Sequence, residues 1–73
     1  MKKTLIIIPT YNEKNNIINL TNEIKNVLNK TNLSYKILFV DDNSKDGTIE
    51  IINKIIIEDQ NINLIVREKK DGL

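Results

Sequence analysis

Ile37-Leu38-Phe39-Val40-Asp41-Asp42-Asn43-Ser44-Lys45-Asp46-Gly47-Thr48 decides the fold, because an apolar run halts there in two adjacent carboxylates and a turn. Apolar residues without polar alternation predict a strand covered on both faces, as in the parallel sheet of an α/β protein. Asp41 and Asp42 stand where that strand ends, and in open α/β sheets the carboxyl edge is where ligands bind. Neighbouring strand residues point to opposite faces, which predicts one acid turned to a ligand and the other tying down the loop. A plain turn and helix cap is the competing reading, since Asp, Asn and Ser suit both.

The flanking segments support a repeated strand-helix pattern. Thr4-Leu5-Ile6-Ile7-Ile8 reads as another apolar strand, closed by Pro9, which cannot donate to a sheet ladder. Thr10-Tyr11-Asn12-Glu13 makes the turn, with Asn12 as helix cap and Glu13 in the first helical turn, where the macrodipole favours an acid. Ile17, Leu20, Ile24, Val27 and Leu28 then recur at helical spacing, predicting a helix over 13–30 with one apolar stripe. Beyond the central strand, Asp46 or Ser44 can cap a second helix that runs through Glu58 with the stripe Ile49, Ile52, Ile55 and Ile56. Ile62-Asn63-Leu64-Ile65-Val66 reads as a third strand, and Arg67-Glu68-Lys69-Lys70-Asp71-Gly72-Leu73 as a charged loop. The order is β-α-β-α-β in a mostly parallel sheet, with right-handed crossovers.

Composition narrows the chemistry. A chain of 73 residues makes at most one small domain, and with no cysteine it has no disulfide to reinforce it. The absence of histidine removes the usual zinc ligands, the Ser-His and Cys-His pairs and the commonest neutral-pH base. A net charge of +1 gives no nucleic-acid footprint, and an aromatic share of 4% gives no stacking platform for single strands. The apolar run that follows Met1-Lys2-Lys3 is too short for a secretory signal, and no segment approaches the ~18 apolar residues of a membrane span.

If the first two strands pair, Pro9-Thr10-Tyr11-Asn12-Glu13 and Val40-Asp41-Asp42-Asn43-Ser44 form one rim. A tyrosine face suits a nucleobase, a carboxylate accepts from base N–H groups or ribose hydroxyls, and helix N-termini favour phosphate. That combination fits a nucleotide. Taken singly, Tyr11 also reads as a turn aromatic, Glu13 as a dipole acid and Asp46 as a cap.

These motifs, their spacing and the closing Arg67-Glu68-Lys69-Lys70-Asp71-Gly72-Leu73 resemble the N-terminal part of the family 2 glycosyltransferases, and within them the polyprenol-phosphate (dolichol-phosphate) mannosyltransferases. The resemblance covers essentially the whole chain. It implies the first part of a nucleotide-diphospho-sugar transferase fold, GT-A and Rossmann-like, with residues 1–73 as the nucleotide-binding part of a longer enzyme. It also implies mannose transfer, with inversion, from GDP-mannose to dolichyl or polyprenyl phosphate for glycan precursor synthesis. The site would be the cytosolic face of a membrane, the endoplasmic reticulum in a eukaryote, with membrane-anchored partner subunits in the complete enzyme. By position, Pro9, Tyr11 and Glu13 match family residues lining the nucleotide, Val40 and Asp42 match those holding base and ribose, and Asp41 is structural. The family's Asp-x-Asp motif, which holds Mg2+ or Mn2+ on the diphosphate, is expected beyond Leu73. The chain itself therefore carries no expected metal site or catalytic residue, and little or no activity is expected of it alone. In the family's sheet the first strand is central, so its free edge in this chain predicts partial order or self-association.

Two other folds fit less well. A response-regulator receiver domain has a similar acid-pair strand, but there it comes first in the chain, whereas here a strand and helix precede it. A nicotinamide-binding Rossmann domain needs G-x-G-x-x-G after its first strand, and no such motif follows Ile8. A family 2 enzyme using UDP-glucose remains a relative of the mannosyl reading.

Overall fold

The computed structural model describes residues 3–68, which form strand β1 (Lys3–Thr10), helix α1 (Ile17–Asn29), strand β2 (Ser34–Asp41), helix α2 (Thr48–Glu58) and strand β3 (Ile62–Val66). The predicted α/β order is the observed one. The sheet is parallel with order β1-β2-β3, so the stretch that opens the sequence argument lies in its middle. The charged segment read as a loop continues past Glu68 outside the described residues.

Register explains which residues are covered. Ile8 pairs with Phe39 and Phe39 with Leu64, while Ile37 pairs with Ile6 and Ile62, so these side chains share one face. Ile17 of α1 and Ile52 of α2 pack on that face with Ile37, Phe39 and Ile62, all fully buried. Two like-handed crossovers that step in one direction across a sheet place both helices on the same side. The expectation of cover on both faces therefore fails for the described residues: Leu5, Ile7 and Ile65 on the other face are 58%, 59% and 49% exposed.

Smaller departures have local causes. Pro9 does not end β1. Backbone direction alternates along a strand, and the Thr10 carbonyl accepts from the Asp42 N–H at 3.1 Å, so the missing proline N–H faces away from β2. Helix α1 starts at Ile17, not at residue 13, after a turn in which the Glu13 carbonyl accepts from the N–H groups of Asn16 and Ile17. Its buried stripe runs through Ile17, Thr21, Ile24 and Leu28, which leaves Val27 65% exposed. Thr21 is buried without penalty because its hydroxyl donates to the Ile17 carbonyl at 2.7 Å. Lys25 bridges to Asp59 at 2.9 Å and ties α1 to the turn before β3. That hydrogen bond raises the Lys25 pKa and lowers that of Asp59. No described helix is long and apolar enough to cross a membrane.

Phe39→Ala should cost about 3–5 kcal/mol in urea unfolding, because it empties the middle of the buried face. Ile7→Thr on the open face should cost about 0.5 kcal/mol or less. A comparable loss at both positions would show that the second face is covered as well.

Candidate functional site

Thr10 and Asp41 are register partners at the ends of β1 and β2, and their side chains meet in the interior. The Thr10 hydroxyl donates to Asp41 Oδ1 at 2.6 Å, the Ser44 hydroxyl to the same oxygen at 2.7 Å, and the Ser44 N–H to Oδ2 at 2.6 Å. Burial pushes the Asp41 carboxyl up. The Ser44 N–H, the Thr10 and Ser44 hydroxyls and the Asn43 N–H outweigh that and hold it below its ordinary value. Asp41 is thus the acid that ties down the loop.

The same loop carries the turn after β1. Ser44 Oγ accepts from the Asn12 N–H at 2.8 Å, Thr48 Oγ1 from the Glu13 N–H at 2.9 Å, and Asp46 Oδ2 from the Lys14 N–H at 3.1 Å. Asn12 Oδ1 returns the contact by accepting from the Lys45 N–H at 3.0 Å. Asn12 is therefore a loop-to-loop tie and not a helix cap. Neither Asp46 nor Ser44 is the cap of α2: Gly47 stands at that position with no side-chain cap, Asp46 Oδ1 accepts from the Thr48 N–H at 3.0 Å from one residue earlier, and Ser44 is committed to Asp41 and Asn12. The Thr48 hydroxyl, against a smaller effect of burial, and the Lys14 and Thr48 N–H groups hold Asp46 below its ordinary pKa.

Both loops leave their strands by a left-handed residue two positions past the Thr10–Asp41 pair, Asn12 at φ 51° and Asn43 at φ 63°. Asn tolerates that conformation better than most side chains, which accounts for its recurrence. Gly47 at φ 106° makes the last bend into α2.

The sequence-predicted rim residues fall into two groups. Pro9 and Val40 are register partners on the helix-free face, and Ile65 continues their row onto β3. Asp42 lies two residues beyond Val40 on the same side, with Arg67 against it: Nη2 and Nε donate to Asp42 Oδ1 at 2.7 and 3.0 Å. Tyr11 follows Pro9 and is 57% exposed. Glu13 is set apart from this row, its backbone held to Thr48 at the head of α2. Sequence reasoning missed Thr10, Thr48 and Arg67 as members of the assembly. The signal for the first two was hydroxyl residues at strand end and helix start; Arg67 stood in the closing charged motif, with nothing in the sequence to pair it with Asp42.

The rim is a shelf on which Pro9 and Tyr11 are exposed and Glu13, Val40 and Asp42 half-buried. Cavities of about 450 Å³ between α1 and α2, and of about 500 Å³ at the opposite strand ends beside Lys3 and Tyr35, include none of these residues. Among the described residues no group of three acids, histidines or cysteines could hold a metal ion. They do not form the metal site that the resemblance implies for a complete enzyme.

The model of glycosyl transferase family 2 matches residues 5–73. The chain belongs to that family. The family 2 chain is 37% identical over 69 residues to a dolichol-phosphate mannosyltransferase of Saccharomyces cerevisiae, covering 93% of this chain and 26% of that protein. It is 33% identical over 73 residues to a polyprenol monophosphomannose synthase of Mycolicibacterium smegmatis, covering 99% of this chain and 26% of that one. An uncharacterized glycosyltransferase of Bacillus subtilis is 37% identical over 60 residues, covering 82% of this chain and 19% of the relative. This family 2 chain thus spans about a quarter or less of the length of these curated relatives.

Asp41→Asn should destabilise the fold by about 1–3 kcal/mol at neutral pH, since an amide nitrogen would face a donor. Because the folded pKa lies below the unfolded value of about 3.9, the Asp41 contribution is complete above that value. It is lost as pH falls through the folded pKa. Unfolding curves of the two proteins should therefore converge in acid, and a gap independent of pH would contradict the ionised role.

Proposed function

We propose that the chain is the donor-binding part of a glycosyltransferase that moves mannose from GDP-mannose to dolichyl or polyprenyl phosphate. The observation that carries the reading is the alignment over 93% of the chain with a protein named for dolichol-phosphate mannosyl transfer. The rim gives it a physical basis. Pro9 and Val40 offer an apolar floor for a base, Tyr11 an exposed ring, and Asp42 an acceptor for ribose or base donors. Glu13 belongs to the proposed nucleotide contacts through the loop it shares with Tyr11.

In the proposed reaction a phosphate oxygen of the lipid forms a bond to the mannose anomeric carbon as the bond to GDP breaks. Residues 3–68 bind and orient the donor and make no bond themselves. Mg2+ or Mn2+ on the diphosphate belongs to the proposal for the complete enzyme, with its Asp-x-Asp ligands proposed beyond Leu73. An acceptor with a polyprenyl tail places the reaction at a membrane surface, proposed as the cytosolic face, where membrane-anchored subunits would act as partners.

The test is transfer of labelled sugar to dolichyl phosphate by the complete enzyme, with GDP-mannose and UDP-glucose compared as donors. Preference for UDP-glucose would replace the mannosyl reading. In the complete enzyme, Asp42→Asn and Tyr11→Ala should each weaken GDP-mannose binding by about 1–3 kcal/mol by calorimetry, from a lost charged hydrogen bond or stacking area. Asp41→Asn should act on folding instead, and exchanged phenotypes for Asp41 and Asp42 would reverse the assignment of their roles.

A further inference from the structure

Among the proposed ligand contacts, Asp42 is the one whose carboxylate is already held. Both Arg67 hydrogen bonds end on Oδ1, and among the described residues nothing donates to Oδ2. An arginine fork commonly engages both oxygens of a carboxylate. Here it leaves one of them for a third group.

The pair is fixed by the sheet beneath it. Asp41 is the register partner of Val66, and the Arg67 N–H donates to the Asp41 carbonyl at 2.7 Å, carrying the ladder one residue past β3. The Asp42 N–H donates to the Thr10 carbonyl at 3.1 Å. Asp42 and Arg67 are therefore neighbours across adjacent strand ends. Asp42 lies two residues beyond Val40, on the same side of the sheet as the Pro9–Val40–Ile65 row, where a base would lie.

We propose that Arg67 is a positioning residue: it holds the Asp42 carboxylate by Oδ1 so that Oδ2 meets a ribose hydroxyl or base N–H of a nucleoside diphosphate. The inference rests on the reading of Asp42 as a nucleoside contact. Arg67 acts through Asp42 and needs no contact with the ligand. Its planar fork, more than its charge, is what matters, because two N–H groups in fixed geometry converge on Oδ1, where a lysine ammonium is a freely rotating point charge.

A binding cycle tests this. GDP affinity is measured by calorimetry for the protein and for Arg67→Gln, Arg67→Lys, Asp42→Asn and the Arg67→Gln/Asp42→Asn pair. Arg67→Gln should weaken binding about two- to fivefold, the scale of an exposed ion pair, and Arg67→Lys should restore less than half of that. Arg67→Gln should add nothing once Asp42 is Asn. Pyrophosphate should compete equally well against the protein and Arg67→Gln, and melting midpoints should be unchanged. Additive losses, or weakened pyrophosphate competition in Arg67→Gln, would make Arg67 a direct ligand contact and overturn the inference. Absence of GDP binding by the unsubstituted protein would instead overturn the proposed function, and the inference with it.

Discussion

The buried carboxylate of Asp41 is the interaction on which the rim at the strand ends depends. It is fully inaccessible, yet it takes hydrogen bonds from the Thr10 hydroxyl and from both the hydroxyl and the N–H of Ser44. An unpaired charge there would be costly, whereas a saturated one fixes the ends of two strands against the start of a loop. Ser44 then passes the constraint on to Asn12, and Thr48 and Asp46 do the same for Glu13 and Lys14. The turn that presents Tyr11 is held by the loop after the neighbouring strand, not by its own helix.

This arrangement separates the jobs of two adjacent acids. Asp41 faces the helix-covered side and has no remaining acceptor role, while Asp42 faces the open side, where Arg67 meets it. Strand alternation alone produces the division. It also places Pro9, Val40 and Ile65 in one row beside Asp42, so an apolar strip and a charged pair border the same shelf. Membership in glycosyl transferase family 2 gives that shelf its chemical context.

The open face follows from topology. Successive parallel strands laid down in one direction by like-handed crossovers gather their helices on one side. The residues of β1 are apolar on both sides all the same, with Leu5 and Ile7 as exposed as ordinary surface residues. A strand with that composition is suited to cover on its second face, and the described residues supply none. This accounts for a sequence that reads as doubly buried and a structure that buries one face.

The sequence by itself determined the element order, the parallel sheet, α2, β3 and the opposite facing of Asp41 and Asp42, because these follow from local periodicity and strand alternation. The family, too, was legible in Pro9-Thr10-Tyr11-Asn12-Glu13 and the Asp41-Asp42 turn. Tertiary structure decided the rest. Asn12 was read as a cap because a lone Asn before a helix normally is one, but its oxygen is claimed by Lys45, 33 residues away. Pro9 was read as a stop because its tolerance depends on which edge its missing donor faces. Val27 and Thr21 exchanged places because the stripe that packs is set by the angle of the helix on the sheet. Arg67 was legible only as the start of the closing charged motif and not as the partner of Asp42, since that partner is chosen by the register of β3 on β2, a contact between distant segments that no local pattern encodes.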